Sequence, residues 1–252
     1  MIKSENEVFQ KVYPFATENV AECLERLDLK GKDVITVGSS LDQAYNALVL
    51  GAEHVTVFDI NANTEKYHYV KSNKILVTPR EKLHADIIKD KTIPYDSDVF
   101  GKKTVTTINN YLQSNANYKL LRKKLGEKRI SFVTGNIFNM DEEIKSKKYD
   151  RMILSNVLHY LESFSPKNGE AKFLRESFDK WKECLNDDGI MQLLYLYSFG
   201  KSDMKRKYSL YTYNLGNVVT SLSGNSLDIE FINGIGGKTD AIVTYTKKLK
   251  RW

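Results

Sequence analysis

The chain has 252 residues, of which 41% are hydrophobic and 28% are charged, and its formal net charge is +6. This length is enough to bury a sizeable hydrophobic core, so the fold needs neither a metal nor a disulfide for its stability. The two cysteines, Cys23 and Cys184, form no CxxC pair and no disulfide framework, which is typical of a reducing compartment. We therefore expect a cytoplasmic protein.

The basic excess raises the question of an anionic partner. The 38 Lys and Arg residues are mixed with 32 Asp and Glu residues along the whole chain, so the charge does not favour a nucleic-acid-binding surface. No apolar run reaches the length that a membrane span requires, and we expect none. The sequence does not indicate an oligomeric state.

The predicted elements begin with an N-terminal helical segment, residues 1–31, in which Val20, Leu24 and Leu27 recur at helical spacing. Strands and helices then alternate as far as Thr78. In chain order these are a strand, DVITV; a helix, LDQAYNALVLGA; a strand, HVTVFDI; and a helix, NTEKYHYVKSNKIL.

Residues 80–127 break this alternation, because they are polar, partly helical and too long for an ordinary connection. We interpret them as an insertion that carries function or forms a lid. The pattern then resumes with two stretches that each hold a strand and its exit loop, RISFVTGNIF and YDRMILSNVLHYL. They are followed by helix EAKFLRESFDKWKECL, strand GIMQLLYLYS, helix LGNVVTSLSG, and the strand pair LDIEFING and DAIVTYTKK. The sequence predicts a single α/β domain with a doubly wound, mostly parallel sheet and an antiparallel C-terminal edge.

The carboxyl ends of the predicted strands are the candidate ligand site, because open α/β sheets bind ligands there. Four loops follow these strands. Their residues are Gly38, Ser39 and Ser40; Asp59, Ile60 and Asn61; Asn136, Ile137 and Phe138; and Ser155 and Asn156.

The residue types in these loops suit a nucleoside. Gly38 allows a sharp turn, and Ser39 and Ser40 offer hydroxyls and free N–H groups at a helix start. The Asp59 carboxylate can accept two hydrogen bonds from a ribose diol. Apolar faces for a purine ring would come from Ile60, Ile137 and Phe138.

Two different interpretations stay open at this point. Asp59 could instead cap the following helix together with Asn61 or Thr64. A dinucleotide-dependent oxidoreductase fits less well, because the GSS turn lacks the second and third glycines of GxGxxG and its fold does not predict the antiparallel end.

The stretches VITVGSSLDQAYNALVLGAEHVTVFDIN, ISFVTGNIF and YDRMILSNVLHYL resemble motifs of class I S-adenosylmethionine-dependent methyltransferases. The resemblance implies a Rossmann-like methyltransferase that uses S-adenosylmethionine and acts on a small-molecule acceptor. It places Gly38 and Ser39 beside the methionine part, Asp59 on the ribose, Ile60 against the adenine, Asn136 and Ile137 at the adenine edge, and Ser155 and Asn156 facing the sulfonium. The chain departs from the family in having fewer glycines after the first strand and Asn136 where an Asp is common.

A narrower likeness is carried by DINANTEKYHYVKSNKIL and the long insert that follows it, which are similar to aminocarboxypropyl transferases of the same fold. These use the same cofactor but transfer its amino-acid arm. Two further functions stay open: a catalytically silent binding protein of this fold, and an enzyme that modifies nucleic acid.

His159 and Tyr160 are the candidate catalytic residues. His159 is four residues beyond Ser155 and could act as a general base or position the acceptor, or it could simply pack at a helix start. Tyr160, with Tyr195 and Tyr197, could line the acceptor pocket or belong to the core. The remaining histidines show no metal-ligand spacing, so we assign no metal.

Overall fold

The computed structural model describes residues 12–90, 100–139, 142–197, 215–237 and 239–248. The predicted N-terminal segment and the predicted insertion therefore lie partly outside the described residues. The chain divides into two compact units, Met1–Ile137 and Phe138–Trp252. A single domain stays a prediction.

Three parallel strands lie in the described part of the first unit, and their β-branched and apolar residues favour burial on both faces of a sheet. They are β1, Asp33–Val37; β2, His54–Asp59; and β3, Ile130–Thr134. β2 pairs with both of the others, with Val37 opposite Phe58 and Asp59 opposite Thr134. This register brings the three carboxyl ends side by side.

Among the described residues, the helices of the first unit include those predicted near residues 41–52 and 63–76, whereas the N-terminal helix is shorter than the predicted spacing through Leu27. The helices are α1, Val20–Leu24; α2, Asp42–Val49; α3, Asn63–Val77; α4, Arg80–Lys89; α5, Lys102–Thr107; α6, Asn110–Gln113; and α7, Asn115–Gly126. The described part of the predicted insertion is thus a set of helices. It is joined to the preceding helix where the Tyr118 hydroxyl donates to the Ile75 carbonyl at 3.1 Å.

In the described part of the second unit there are four strands, and the last two run antiparallel. The strands are β4, Tyr149–Ser155; β5, Leu185–Tyr197; β6, Leu227–Asn233; and β7, Thr239–Thr246. β4 pairs with β5 in parallel, and β7 pairs antiparallel with both β5 and β6. β5 begins four residues before the predicted GIMQLLYLYS, because Leu185 pairs with Tyr149 across a register shift.

The helices of this unit are α8, Glu142–Lys145; α9, Leu161–Phe164; α10, Glu170–Glu183; and α11, Leu215–Ser221, with 3-10 helices at Val157–Tyr160 and Ile235–Gly237. α10 buries Leu174, Phe178 and Trp181, which share one face at helical spacing. These three side chains are at most 1% exposed and form much of the unit's core.

The described strands form one seven-stranded sheet in the order β3-β2-β1-β4-β5-β7-β6. The predicted fold class, a mostly parallel α/β sheet with an antiparallel C-terminal edge, is confirmed. Among the described residues, no helix combines the length and the apolar character needed to cross a bilayer.

Candidate functional site

The loops after β1, β2 and β3 meet in the first unit through backbone hydrogen bonds. The Gly38 N–H donates to the Phe58 carbonyl at 2.8 Å, and the Gly135 N–H donates to the Asp59 carbonyl at 2.9 Å. Three of the four loops singled out in the sequence therefore lie together at one edge of the sheet, where α/β folds bind ligands.

Position 38 has no room for a side chain at this edge of the sheet, so it requires glycine. A Cβ atom at position 38 would lie 2.4 Å from Thr64 Cγ2, 2.7 Å from Asp59 Oδ2 and 3.0 Å from Val57 Cγ1. These distances are shorter than van der Waals contact, so the absence of a side chain lets the β1 exit pack directly on the end of β2.

The Asp59 carboxylate connects the first two loops. Oδ2 accepts hydrogen bonds from the Ser39 N–H at 2.7 Å and from the Thr64 hydroxyl at 2.8 Å, and Oδ1 accepts one from the Asn61 N–H at 2.9 Å. The hydrogen bonds to Asn61 and Thr64 agree with the alternative interpretation, in which Asp59 organises the start of the next helix. Asn61 continues the turn, since its side chain accepts from the Asn63 N–H at 2.9 Å.

Two opposing effects act on Asp59. Burial raises the pKa of its carboxyl group, and the hydrogen bonds from Asn61, Ser39, Thr64 and Ile60 lower it. A carboxylate has about four acceptor positions, and these four hydrogen bonds occupy them. A ligand hydroxyl would therefore bind Asp59 by replacing one of these donors.

The serine turn differs from the prediction. The sequence predicts a free Ser39 N–H, but this group donates to Asp59, and Ser39 adopts a left-handed conformation with φ of 41°. Ser40 is fully buried and its hydroxyl accepts from the Asp42 N–H at 3.3 Å. The prediction of free N–H groups is wrong at Ser39, because the turn after β1 packs on the end of β2 and brings this N–H to the Asp59 carboxylate.

The candidate adenine-binding residues fall into two groups. Ile60 and Asn136 are partly exposed beside the loop cluster, whereas Ile137 is 5% exposed. Phe138 opens the second unit and is 2% exposed, with ring centroids 5.3–5.9 Å from those of Phe173, Phe164 and Trp181. Phe138 therefore belongs to an aromatic core, and the structure does not present its ring as a purine-binding face.

The fourth loop lies in the second unit, at the end of β4. Ser155 is buried, and Asn156 turns the chain in a left-handed conformation with φ of 59°. The 3-10 helix that follows carries His159 and Tyr160, both partly exposed, and the His159 N–H closes the turn onto the Asn156 carbonyl at 3.3 Å.

His159 packs against Tyr195 of β5, with 5.1 Å between their ring centroids. Burial lowers the pKa of His159 to about 4, and a hydrogen bond from the ring to the Tyr195 backbone opposes this shift. The imidazole is therefore neutral at pH 7. With one ring nitrogen donating to a carbonyl, the other carries the lone pair of a base.

Tyr195 occupies a bulge in β5. The register with β7 passes from Leu193 opposite Val243 to Leu196 opposite Ala241, so two residues of β5 face one of β7. Tyr195 has φ of 65°, which is unusual for a bulky residue. Bulges often redirect side chains next to functional sites, and this one directs Tyr195 to His159.

Sequence reasoning missed a charged pair beside the serine turn. Asp42 and Lys71 are both fully buried, with 2.6 Å between Oδ1 and Nζ. The available signal was that Lys71 lies on the same face of α3 as Thr64, Tyr67 and Ile75, which are buried. A lysine in such a stripe indicates a buried partner.

In the described part of the chain, no three His, Cys, Asp or Glu side chains are grouped so that they could hold a metal ion. No family model and no curated protein matches this sequence.

Solved structures do match. The N-methyltransferase NodS from Bradyrhizobium japonicum, in complex with S-adenosyl-L-homocysteine, is 11% identical with a TM-score of 0.50, and the match covers 90% of this chain and 85% of that chain. Magnesium protoporphyrin IX methyltransferase from Synechocystis, with bound S-adenosylhomocysteine, is 13% identical with a TM-score of 0.51, covering 91% of this chain and 80% of that one.

Human N-acetylserotonin methyltransferase, in complex with S-adenosylmethionine, is 16% identical with a TM-score of 0.50, and the match covers 92% of this chain and 52% of that one. The narrower likeness to aminocarboxypropyl transferases is not shown by these structures and stays a prediction. Identities this low establish the fold alone: this chain has the fold of class I S-adenosylmethionine-dependent methyltransferases.

Proposed function

We propose that this protein binds S-adenosylmethionine and transfers the methyl group to a small-molecule acceptor. The observation that carries the proposal is the meeting of the Gly38, Asp59 and Gly135 loops at the carboxyl ends of β1, β2 and β3 within a methyltransferase fold. In such folds this edge of the sheet binds the nucleoside.

The residues at this edge fit a nucleoside ligand. Asp59 is a carboxylate at this edge that can exchange one of its internal donors for a ribose hydroxyl, and Ile60 is a partly exposed apolar side chain next to it. Asn136 brings an amide beside them, which can both donate and accept hydrogen bonds. A Thr64 hydroxyl that turns away from Asp59 would release an acceptor position for the ribose diol.

When bound, S-adenosylmethionine supplies an electrophilic methyl carbon attached to a sulfonium sulfur. The protein's contribution to such a reaction is mainly proximity and alignment of the acceptor with that carbon. A base is needed only if the acceptor loses a proton as it attacks.

His159 is the candidate for that base. Its neutral imidazole can take up a proton, and the hydrogen bond and ring contact with Tyr195 fix its orientation. A pKa near 4 makes it a weak base, so it suits an acceptor that becomes strongly acidic as the new bond forms. Tyr160 follows directly and is our candidate for lining the acceptor pocket. A cytoplasmic location is part of the same proposal.

The proposal is tested by calorimetric titration of the protein with S-adenosylhomocysteine and S-adenosylmethionine. We expect saturable binding that Asp59→Ala weakens by about 1.5–3 kcal/mol, because charge-assisted hydrogen bonds to the ribose are lost. Thr64→Val is the matched control. It removes one of the hydrogen bonds that Asp59 makes within the protein, leaves the carboxylate, and should change the affinity much less.

Equal loss of affinity in both variants would mean that Asp59 acts only by bracing the two loops. Absence of binding by the unmodified protein at millimolar ligand would refute the proposed function itself.

The nucleoside product identifies which carbon of the cofactor has reacted. Methyl transfer breaks the bond between sulfur and the methyl carbon and releases S-adenosylhomocysteine, with any acceptor proton passing to the base. Transfer of the aminocarboxypropyl arm would release 5′-methylthioadenosine. Chromatography of the nucleoside product, with extracts of small molecules as the acceptor source, separates the two reactions.

A further inference from the structure

The Asp42–Lys71 pair is the most deeply buried charge cluster among the described residues of the first unit, with both side chains at 0% exposure. Lys71 lies in the middle of α3, and Asp42 is the first residue of α2. Neither residue belongs to the loop cluster assigned above to the nucleoside. Their partners, however, connect that cluster to the N-terminal segment.

The Lys71 ammonium has three N–H donors, and three acceptors surround it. It lies 2.6 Å from Asp42 Oδ1, 2.8 Å from the Ser40 carbonyl and 2.9 Å from the Pro14 carbonyl. The Phe15 ring covers it, with its centroid 4.6 Å from Nζ. A single cation thus joins a backbone carbonyl of the serine turn to a carbonyl of the segment Pro14–Ala16.

Asp42 also binds the segment Pro14–Ala16. Its second oxygen accepts the Ala16 N–H at 2.6 Å, and Oδ1 also accepts the Tyr111 hydroxyl at 2.8 Å. The Tyr67 hydroxyl donates to the Pro14 carbonyl at 2.6 Å. Consequently, the segment Pro14–Ala16 is held by the same charged pair that fixes the turn after β1.

Burial of an ion pair is weak evidence for added stability, because desolvation of the two charges offsets their attraction. An apolar pair of similar size would fill this space without that cost. What an apolar pair cannot do is bind the Ser40 and Pro14 carbonyls and the Ala16 N–H. The particular contribution of the charges is therefore the geometry of these backbone groups.

We infer that Lys71, with Asp42 as its counter-ion, is a positioning residue that locks the segment Pro14–Ala16 to the Gly38–Leu41 turn and thereby holds that turn in its ligand-binding geometry. The inference rests on the proposed function, because the turn is the candidate binding site for the methionine part. The lock itself exists without ligand and can be measured without it.

The first measurement is amide hydrogen exchange of the unmodified, ligand-free protein. We expect the Ala16 amide to be as strongly protected as the buried amides of α2, because opening it exposes the buried Asp42 carboxylate and detaches the Pro14 carbonyl from Lys71. Exchange of Ala16 at the rate of a frayed terminus would overturn the inference. This result does not depend on whether the protein binds S-adenosylmethionine.

The second measurement compares Lys71→Met with the double variant Lys71→Met/Asp42→Asn. The single variant should lose stability and affinity for S-adenosylhomocysteine, because it leaves Asp42 buried without its cation. The double variant should recover much of the stability, since no unpaired charge remains. Its affinity should stay about tenfold or more below that of the unmodified protein, because the Ser40 carbonyl loses its Lys71 donor and the Pro14 carbonyl keeps only the Tyr67 hydroxyl.

Recovery of both stability and affinity in the double variant would overturn the positioning role and leave a purely structural ion pair. Two controls accompany the test. Lys74→Met removes a cation from the same helix that pairs with Asp90 at 2.8 Å, and it should leave the affinity unchanged. Leu174→Ala destabilises the second unit and should leave Ala16 protected in the folded molecule. Binding of S-adenosylhomocysteine by the unmodified protein, measured in parallel, tests the proposed function separately.

Discussion

Position 38 shows how a missing side chain determines the local architecture. The atoms that a Cβ would meet belong to Val57 and Asp59 of β2 and to Thr64 at the start of α3. The glycine therefore sets the distance between the β1 exit and the end of β2. That distance in turn lets the Ser39 N–H reach the Asp59 carboxylate at 2.7 Å.

We expect Gly38→Ala to lower the free energy of unfolding by about 1–3 kcal/mol, because the added methyl group overpacks a closed contact. The affinity for S-adenosylhomocysteine should fall with it, since Asp59 is among the displaced groups. Urea denaturation and calorimetric titration measure the two effects.

Gly126→Ala is the matched control for this substitution. Nothing lies within 4 Å of a Cβ at position 126, which ends α7, and alanine there should raise stability by up to about 1 kcal/mol through helix propensity. A Gly38→Ala protein as stable as the unmodified one would contradict the overpacking argument.

At the scale of elements, the feature of β5 that bears on function is the break in its regular pairing, the bulge at Tyr195. Regular pairing with β4 continues as far as Ser155 opposite Leu194, and the next residue, Tyr195, adopts a left-handed backbone in the bulge. An unfavourable conformation in a bulky residue persists only where the surroundings determine it. Here the surroundings include the His159 ring and the strand β7.

The left-handed backbone at Tyr195 should reverse the usual order of stability of alanine and glycine variants in a strand. In an ordinary strand, alanine is more stabilising than glycine, whereas a left-handed conformation favours glycine. We therefore expect Tyr195→Gly to be more stable than Tyr195→Ala by about 1 kcal/mol, the cost of the left-handed conformation for a residue with a Cβ. Thermal and urea unfolding of the two variants provide the comparison.

Position 230 gives the contrast, because Glu230 is exposed in the regular strand β6. There Glu230→Gly should be less stable than Glu230→Ala. The same order at position 195 would mean that Tyr195 does not need its left-handed conformation.

At the scale of the whole molecule, two histidines link stability to pH. Burial lowers the pKa of both His68 and His159 to about 4, from an ordinary value of 6.5. His68 is enclosed by aromatic rings, and its Nδ1 lies 3.1 Å from the Tyr45 hydroxyl. The folded molecule therefore keeps two imidazoles neutral that the unfolded chain would protonate in mild acid.

The direction in which stability changes with pH follows from the number of protons that each state binds. Between pH 6.5 and pH 4 the unfolded chain binds more protons than the folded one, so the free energy of unfolding falls as the pH is lowered through this window. The slope reaches up to about 1.4 kcal/mol per pH unit for each imidazole, and neither contributes a slope above the window.

Urea unfolding at intervals from pH 7 to pH 5 measures the slope, and nuclear magnetic resonance of the imidazole C–H protons measures the two titrations directly. The chain has only four histidines, so single substitutions assign each signal. The variant His68→Gln/His159→Gln should lose most of the slope. Titration of both residues near pH 6.5 would contradict the prediction.

The sequence by itself determined the elements that depend on local pattern. The β-branched run of β1 was predicted with its observed bounds, Asp33–Val37, and the helical periodicity of α3 was predicted to within one residue of its end. The order of strands and helices also predicted the sheet class and placed Gly38, Asp59 and Asn136 after three of the predicted strands. These features follow from side-chain sterics and periodicity over a few residues.

Only the tertiary structure decided which partner each polar group has. The Ser39 N–H meets Asp59, which is 20 residues away, and Lys71 meets Asp42, which is 29 residues away. Phe138 joins an aromatic core, and the bulge at Tyr195 depends on β7. Burial and hydrogen bonding between distant residues are properties of the packed chain, and a pattern read over a few residues does not contain them.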